Sequence, residues 1–213
     1  MITVHHLGIS QSDRIVWLCE ELAVPYRLIR YERDPKTQFA PPKYRALTAF
    51  GTAPVISDGE LTLGESGAII EYIIAKHGGG RLAVSPDRPE FANYLYWFHF
   101  ANGSFMPSSM LDMVARRLGV DARNEFIRAL RDRSERAYAL VENRLAQAPY
   151  FAGDQFTAAD IIMLFPLTTM RAFAPRDLSG FPNILAYLKR IGDRPAYRRA
   201  MQKGDPQMEP MLS

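Results

Sequence analysis

The stretch from Gly51 to Ile74 constrains the fold more strongly than any other part of the chain. It reads GTAPVISDGELTLGESGAIIEYII, and an Asp-Gly pair separates two short apolar runs within it. Such a pair between strand-like runs predicts a β-hairpin. Isoleucines then recur at helical spacing after Ser66, which predicts a helix with Ser66 as its N-cap. A helix that starts at the end of a hairpin offers free backbone N–H groups and a positive dipole end, and these suit a carboxylate or phosphate.

Two further residues narrow the class of ligand. Glu65 immediately precedes the predicted cap, where its carboxylate can pair with a ligand cation beside the bound anion. An ammonium group and a carboxylate on neighbouring atoms are the charged groups of an amino acid. Pro54 has no N–H for a strand ladder, so it must lie at a strand start or bend. A cis bond at this proline would turn the Val55 backbone outward, toward an extended ligand.

The first third of the chain adds a β-α-β unit. Strand-like residues span 3–7 and 26–31, and a helix is predicted over 14–23 because its apolar residues share one face. Two strands joined by a helix in this way form a parallel pair. The segment 33–50 is predicted to be a long loop with one helical turn near 42–47. A β-α-β unit followed by β-β-α is the order of an α/β thioredoxin-like domain.

The second half is predicted to be all helical. Three glycines at 78–80 end the third helix, a proline-containing linker follows, and the strand signals then disappear. We therefore predict a thioredoxin-like domain over 1–78 and an all-α domain over 89–213. Pro107 and Pro166 should bend or break the helices that contain them. The predicted helices span residues 88–118, 121–147, 157–173, 181–193 and 195–203.

The segment Thr157-Ala158-Ala159-Asp160 predicts the start of one of these helices. It has the pattern of a capping box, in which the Thr157 hydroxyl binds the N3 amide and the Asp160 carboxylate reaches back to the cap. Phe156 and Ile161 occupy the positions of the accompanying hydrophobic contact. This motif is structural, and no chemistry is assigned to it.

Both halves carry motifs that resemble the glutathione transferase family. The pairs Pro54-Val55 and Glu65-Ser66 are similar to the thioredoxin-like half of that family, and FTAADI at 156–161 is similar to the capping element of its C-terminal domain. The resemblance covers nearly the whole chain. It implies that Pro54 is cis, that Val55 holds the cysteinyl backbone of glutathione, and that Glu65 and Ser66 hold its γ-glutamyl head. It also implies glutathione as co-substrate and a homodimer.

The turn before the first helix offers the thiolate donor that such an enzyme needs. One charge-assisted hydrogen bond is worth about 1.5–3 kcal/mol, or about one to two units of thiol pKa. Ser10, Ser12 and the nearby backbone amides are the candidates. Ser10 lies four residues before Arg14, a spacing that resembles the serine-type classes of the family and favours Ser10. The alternative is that Ser10 only caps the helix, with Asp13 as a box partner.

The remaining parts of the ligand site follow from position alone. Lys36, Gln38, Lys43 or Thr52 could meet the glycine carboxylate, and Thr52 stands where many relatives carry Lys or Gln. A pocket for a small hydrophobic electrophile is predicted between the two halves. The apolar residues that follow the linker at helical spacing would equally form part of the hydrophobic core. The side chains predicted to line the pocket are Ile9, Phe98, Asn102, Phe105, Met106 and Met110.

Composition excludes several classes of function. The single cysteine, Cys19, excludes an internal disulfide and predicts a reducing cytoplasm, and its place in mid-helix argues against the cysteine-type members. No apolar run of about 20 residues exists, so no membrane partner is expected. The net charge of +3 is interspersed with acids, which argues against a nucleic-acid partner and modestly favours a small anion. His5 and His6 have no metal-ligating partner at useful spacing, so no metal is expected.

Two hypotheses of function follow. The first is a cytosolic, bacterial-type glutathione transferase with a serine-type site. In this enzyme the thiolate of glutathione would attack small hydrophobic electrophiles in a detoxification reaction. Hydroperoxide reduction would use the same thiolate. The second is a non-catalytic binding or interaction module, because a fold does not fix a function. A hydroxyl where the thiol should lie, together with Glu65 and Ser66, favours the enzyme. Phe50, on the loop before Pro54, is predicted to meet a partner subunit.

Overall fold

A four-stranded mixed sheet organises the N-terminal half in the computed structural model, which describes residues 1–213. Its strands are β1 (Ile2–Leu7), β2 (Tyr26–Tyr31), β3 (Val55–Asp58) and β4 (Leu61–Gly64), in the spatial order β2-β1-β3-β4. Strands β1 and β2 are parallel, whereas β3 is antiparallel to both β1 and β4. The predicted β-α-β unit and hairpin are therefore confirmed.

Three helices accompany the sheet in sequence order: α1 (Asp13–Leu22), α2 (Pro42–Arg45) and α3 (Ser66–Lys76). The predicted apolar face of α1 is buried, since Ile15, Leu18, Cys19 and Leu22 are each at most 2% exposed. The short helix α2 anchors the long 33–50 loop to the sheet, because Tyr44 is fully buried and its hydroxyl donates to the carbonyl of His5.

The start of α3 differs from the prediction by one residue. Ser66 is the first residue of the helix, and Glu65 occupies the N-cap with a φ of 69°. The prediction of Ser66 as the N-cap was therefore wrong, because hydroxyl preference alone cannot show that the residue before it turns the chain. The Ala53–Pro54 peptide bond is cis, as predicted.

The second half is helical, with α4 (Phe91–Phe100), α5 (Met106–Arg117), α6 (Glu125–Gln147), α7 (Ala158–Leu167) and α8 (Pro182–Gly192). The single helix predicted over 88–118 is instead two helices separated by a π-helical turn, Ala101–Phe105. Pro107 then falls in the first turn of α5, where its missing N–H removes no α-helical bond. Helix α6 begins later than predicted, because Asn124 caps it.

The predicted capping box at the start of α7 is confirmed. The Thr157 hydroxyl accepts from the N–H of Ala159 at 3.3 Å, and the Asp160 carboxylate accepts from the N–H of Thr157 at 2.9 Å. Pro166 lies inside α7, which ends one residue later, and a 3₁₀ turn follows at Thr169–Ala172. The proline thus marks the end of regular α-helix, as expected.

Helix α9 (Pro195–Gly204) belongs with the sheet. The chain forms two compact units, Met1–Ala83 with Ile191–Pro210 and Val84–Arg190 with Met211–Ser213. Within the first unit α9 packs on α1, where the rings of Trp17 and Tyr197 lie 5.2 Å apart. The sequence prediction assigns this segment to the all-α domain over 89–213, because periodicity does not identify the element against which a helix packs. None of the helices is both long and apolar enough to cross a membrane.

Candidate active site

The residues predicted to bind glutathione lie at one end of the sheet, where three strands begin or finish. In the strand register His5 lies opposite Val55, and Val55 lies opposite Gly64 on its other side. The end of β1, the start of β3 and the end of β4 therefore meet at this end. The turn after β1, the cis proline and the Glu-Ser pair extend from these three strand ends.

The turn after β1 has an unusual backbone at Ile9. Its φ is 49°, in the left-handed region, where a β-branched residue is a genuine outlier. Charged side chains fix the backbone on both sides: the Ile9 N–H donates to Asp205 Oδ1 at 3.1 Å, and the Ile9 carbonyl accepts from Arg33 Nη2 at 3.0 Å. Arg33 also donates to the carbonyl of Gly8 at 2.9 Å. The conformation that leads into Ser10 is thus held from outside the turn.

The two serines of this turn are hydrogen-bonded to each other, with their Oγ atoms 2.8 Å apart. Ser10 Oγ donates to the carbonyl of Leu7 at 2.6 Å and accepts from the N–H of Ser12 at 3.3 Å. Ser12 is the N-cap residue of α1, yet its side chain caps no N–H of the helix and accepts from the Leu7 N–H at 3.1 Å. Ser10 is 4% exposed and Ser12 is fully buried. Neither hydroxyl acts as a helix cap, which counts against the alternative assigned to Ser10.

A buried histidine–aspartate pair lies behind the serines. His6 Nδ1 is 2.9 Å from Ser12 Oγ, and His6 Nε2 is 3.1 Å from Asp205 Oδ2. Burial acts to raise the pKa of Asp205, but the hydrogen bond from His6 opposes it, and the pKa lies below its usual range. Asp205 is therefore a carboxylate that orients the imidazole. Sequence reasoning assigned His6 a structural role and missed Asp205, which is 199 residues away from it in the chain.

The starts of α1 and α3 are joined by three side chains. Arg14 Nη1 donates to Gln11 Oε1 at 3.0 Å and to Ser66 Oγ at 3.4 Å, and Ser66 Oγ donates to Gln11 Oε1 at 3.3 Å. Burial lowers the pKa of Arg14 to about 10 while the charge of Asp13 raises it, so the guanidinium remains cationic at neutral pH. A buried cation at two neighbouring helix starts suits an anionic ligand. Sequence reasoning had used Arg14 only as a spacing marker for Ser10.

The other predicted glutathione contacts differ in exposure. Pro54 and Val55 are buried, whereas Glu65 is exposed. The four side chains considered for the glycine carboxylate, Lys36, Gln38, Lys43 and Thr52, are all exposed. Exposure leaves each of them able to reach a ligand, and it selects none of them.

The residues predicted for the electrophile pocket divide into two groups. Phe98 is 2% exposed and Phe105 is fully buried, and the Phe105 ring packs edge-on against Tyr138 at 4.9 Å. These two phenylalanines are core. Asn102 and Met106 are half-buried and Met110 is 43% exposed, so these side chains can reach a ligand. Ile9, in the other unit, is also half-buried.

A cavity of about 710 Å³ lies within the helical unit, and none of the predicted pocket residues lines it. Its wall combines apolar side chains with arginines from two different elements. Its lining includes Met113, Met170, Phe173, Arg116, Arg117 and Arg176.

Two alternative chemistries find no group to carry them. Burial, together with the charge of Glu20, raises the pKa of the Cys19 thiol to about 12, so this cysteine is not a nucleophile at neutral pH. No three or more His, Cys, Asp or Glu side chains cluster so that they could hold a metal ion. The Ser10 and Ser12 hydroxyls and the nearby backbone amides remain the candidates for the thiolate donor.

Comparisons with known proteins now place the chain. A model of the glutathione S-transferase N-terminal domain matches residues 10–76, and a model of the glutathione S-transferase C-terminal domain matches residues 105–195. Glutathione S-transferase 3 of Schizosaccharomyces pombe is 37% identical over 218 residues, which cover 95% of this chain and 88% of that relative. The chain belongs to the glutathione S-transferase family.

Solved structures of glutathione S-transferases share the fold. One from Actinobacillus pleuropneumoniae has a TM-score of 0.87 and 32% identity, covering 96% of this chain and 93% of that one. The theta-class glutathione S-transferase of Xanthomonas axonopodis pv. citri, solved with glutathione bound, has a TM-score of 0.69 and 28% identity, covering 93% and 96%. These likenesses confirm the predicted fold class, a thioredoxin-like domain followed by an all-α domain.

Proposed function

We propose that this glutathione S-transferase uses glutathione as co-substrate and transfers it to small hydrophobic electrophiles, with Ser10 as the donor to its thiolate. The observation that carries the proposal is the pair of bonded hydroxyls at the start of α1. This pair lies beside Ser66, which Gln11 and Arg14 connect to the same helix start.

The Ser10 hydroxyl supports thiol ionisation in a direct way. A free thiol has a pKa of about 8.5, and the thiolate is the nucleophile. One hydrogen bond from Ser10 to the sulfur would lower that pKa by about one to two units. The start of α1 adds the positive end of its dipole, and the Arg14 cation adds its charge. The thiolate then forms the sulfur–carbon bond as the leaving group departs from the electrophile.

The other contacts place the peptide around that sulfur. The Val55 backbone would hold the cysteinyl part of glutathione beside the cis Pro54, and Ser66 with the first N–H groups of α3 would hold the γ-glutamyl carboxylate. Exposed Glu65 would pair with the γ-glutamyl ammonium. Thr52 would approach the glycine end. The electrophile would meet Asn102, Met106 and Met110, which retain exposure.

Glutathione binding and thiol ionisation test this assignment together. Calorimetry and ultraviolet difference spectra against pH would be recorded for the wild type, Ser10→Ala and Ser10→Thr. We expect Ser10→Ala to raise the pKa of the bound thiol by about one unit or more, and Ser10→Thr, which keeps a hydroxyl, to raise it less. An unchanged pKa in Ser10→Ala would assign the sulfur to Ser12 or to backbone amides. Failure of the wild type to bind glutathione would favour a non-catalytic interaction module.

We also propose a homodimer. Phe50 is 80% exposed, and apolar side chains on α4 and α5 are 39–50% exposed, so these side chains offer apolar surface that a second copy of the chain would cover. The members of that second group are Leu95, Tyr96, Leu111 and Val114. Sedimentation of Phe50→Ala should show dissociation, whereas Phe39→Ala, which removes another exposed ring of the same loop, should not. Unchanged sedimentation of Phe50→Ala would remove Phe50 from the interface.

Three finer assignments remain predictions. The bacterial-type, serine-type class rests on the Ser10 spacing, and hydroperoxide reduction by the same thiolate is a further expected activity. A detoxification role in a reducing cytoplasm rests on the reaction class and on the single cysteine, which is buried and free. A substrate panel of aryl halides, enones and cumene hydroperoxide would rank conjugation against peroxide reduction.

A further inference from the structure

A continuous chain of hydrogen bonds leads from the glutathione turn into the protein. Ser10 Oγ lies 2.8 Å from Ser12 Oγ, Ser12 Oγ lies 2.9 Å from His6 Nδ1, and His6 Nε2 lies 3.1 Å from Asp205 Oδ2. His6 is fully buried, and its two ring nitrogens bond Ser12 on the side of the turn and Asp205 on the other. The chain therefore connects the predicted position of the thiol to a fully buried imidazole.

The carboxylate at the inner end fixes where the protons lie. An ionised carboxylate only accepts hydrogen bonds. The proton between the two groups therefore lies on His6 Nε2, which donates a hydrogen bond to Asp205. In neutral imidazole the other ring nitrogen is then an acceptor, and Nδ1 faces the hydroxyl of Ser12. Ser12 accepts from the Leu7 N–H in turn. The imidazole is thus held in the tautomer that can receive a proton from the serine side.

We propose that His6 takes up the proton that leaves the glutathione thiol, through the Ser10 and Ser12 hydroxyls, with Asp205 as the positioning residue. This inference rests on the proposed function, in which Ser10 faces the sulfur. The S–H bond breaks and its proton passes to Ser10 Oγ, the Ser10 proton passes to Ser12 Oγ, and the Ser12 proton passes to His6 Nδ1. Thiol and imidazole become thiolate and imidazolium, with no oxidant or reductant required.

The transfer also aligns the donors toward the sulfur. After it, Nδ1–H donates to Ser12, the Ser12 hydroxyl donates to Ser10, and the Ser10 hydroxyl donates to the thiolate. The Ser10 hydroxyl donates to the Leu7 carbonyl at 2.6 Å, so the transfer requires a rotation of this hydroxyl. The imidazolium would then form an ion pair with Asp205 in a buried setting, where such a pair is least screened by solvent.

The charged groups around the pair favour a carboxylate at the inner end. Arg30 and Arg33 act on Asp205 from β2 and the segment after it, and Glu32 pairs with Arg30 at 3.1 Å. On the side of α9, a Cβ added at Gly204 would lie 3.3 Å from the His6 ring, so backbone closes that side. The hydrogen bond from His6 is the main cause that lowers the pKa of Asp205, and Arg30 adds to it, so the acceptor that His6 needs is preserved.

The neighbouring histidine supplies a matched control. His5 bonds Tyr31 at 3.1 Å and Ser57 at 3.0 Å, and neither partner belongs to the chain of four. His5→Gln therefore removes an imidazole from the same strand without touching Ser10, Ser12 or Asp205.

The first test counts protons in the unaltered protein with reduced glutathione. Calorimetry in buffers of different ionisation enthalpy gives the protons released on binding, and ultraviolet difference spectra give the thiolate formed. We expect the wild type to form thiolate while releasing close to no proton per thiolate, because His6 retains it. His5→Gln should behave in the same way. Release of one proton per thiolate by the wild type would overturn the proposal.

The second test uses His6→Gln and Asp205→Asn, checked for folding by circular dichroism. We expect each to raise the pKa of the bound thiol by about one unit or more. The thiolate signal of the wild type should rise with pH in two steps, as for a coupled pair, and that of His6→Gln in one. A variant that folds and keeps the wild-type titration would overturn the proposal, and the proton count stands even if neither variant folds. Thiolate that forms with one proton released would leave the proposed function intact, whereas no thiolate in the wild type would remove that function itself.

Discussion

Helices α1 and α7 each have a hydroxyl residue at the N-cap and a buried aspartate in the hydrogen-bond network of that residue, but these groups direct their hydrogen bonds differently. At α7 the Thr157 hydroxyl accepts from a helical N–H, and Asp160 accepts from the backbone of the cap. At α1 the Ser12 hydroxyl accepts from no helical N–H and instead meets His6, which Asp205 orients. The same residue types thus cap the N–H groups of α7, whereas at α1 the side chain of the N-cap residue binds no helical N–H.

The two aspartates, Asp160 and Asp205, also differ in the direction of their pKa shifts. Burial raises the pKa of Asp160 to about 6, although backbone N–H groups of Phe151 and Thr157 oppose the rise. Asp205 has a basic partner in His6, whose hydrogen bond opposes burial, and the pKa of this carboxyl lies below its usual range. A capping carboxylate serves the fold alone, whereas a carboxylate beside an imidazole can also hold charge for a reaction. The comparison therefore predicts stability effects at α7 and chemical effects at α1.

Asp160→Ala should give the largest change in stability. The N–H groups of Phe151 and Thr157 would lose their acceptor inside the protein, and each unsatisfied buried donor costs about 1–3 kcal/mol. We expect the free energy of unfolding, measured by urea titration, to fall by about 2–6 kcal/mol. Asp154→Ala, at an exposed position of the preceding loop, should change it by less than about 0.5 kcal/mol. An unchanged stability in Asp160→Ala would mean that the α7 start is not a structural cap.

The titration of Asp160 should contribute to the pH dependence of the free energy of unfolding. Its pKa is raised in the folded protein, so the folded state binds more protons than the unfolded state between about pH 4 and 6. The free energy of unfolding should therefore fall as pH rises through this window, by up to about 3 kcal/mol, and stay level above it. Because other carboxyls also titrate there, the quantity to measure is the difference between the wild type and Asp160→Asn. A difference that does not vary with pH would contradict the raised pKa.

Ser12→Ala and Ser10→Ala should separate structure from chemistry within α1. Loss of the Ser12 hydroxyl leaves the Leu7 N–H and His6 Nδ1 without a buried partner, so we expect a loss of stability of about 1–3 kcal/mol. Ser10→Ala leaves both of those bonds in place and should lower stability less, while raising the pKa of the bound glutathione thiol. Thermal unfolding and thiolate spectra on both variants make the comparison. A larger stability loss in Ser10→Ala would reverse these roles.

Thr157→Ala should have the smallest effect of this series. Removing an N-cap hydroxyl costs about 1 kcal/mol, and Thr157→Ser, which keeps the hydroxyl, should recover most of it. Neither variant should change the pKa of bound glutathione, since α7 lies in the unit that does not contain Ser10. A shift of the thiol pKa in Thr157→Ala would show that the α7 start influences the reaction.

Local signals predicted most of the fold and part of the site. The Asp-Gly turn, the apolar face of α1 and the capping box each involve residues a few positions apart, and all three were confirmed. The π-helical turn before Pro107 was missed because a continuous apolar pattern shows no change of pitch. Glu65 was missed as the N-cap because its positive φ has no signature in residue type.

Asp205 could not be predicted from sequence for a different reason. No periodicity relates it to His6 or to Ile9, and only the packing of α9 on α1 brings the three together. The same holds for Arg33, whose guanidinium reaches the carbonyls of a turn that precedes it by more than a strand and a helix. Groups that hold a site from a distance in sequence are found only once the tertiary contacts are known.

The position of Asp205 also sets an order of events during synthesis. Strand β1 and the Ser10 turn leave the ribosome early, yet the group that accepts from Ile9 N–H and His6 Nε2 arrives only after nearly 200 further residues. Until then the turn lacks one of the two contacts that hold Ile9 in its left-handed conformation. A nascent chain can therefore form its sheet before it can complete the conformation of the Ser10 turn, which must wait until α9 docks onto α1.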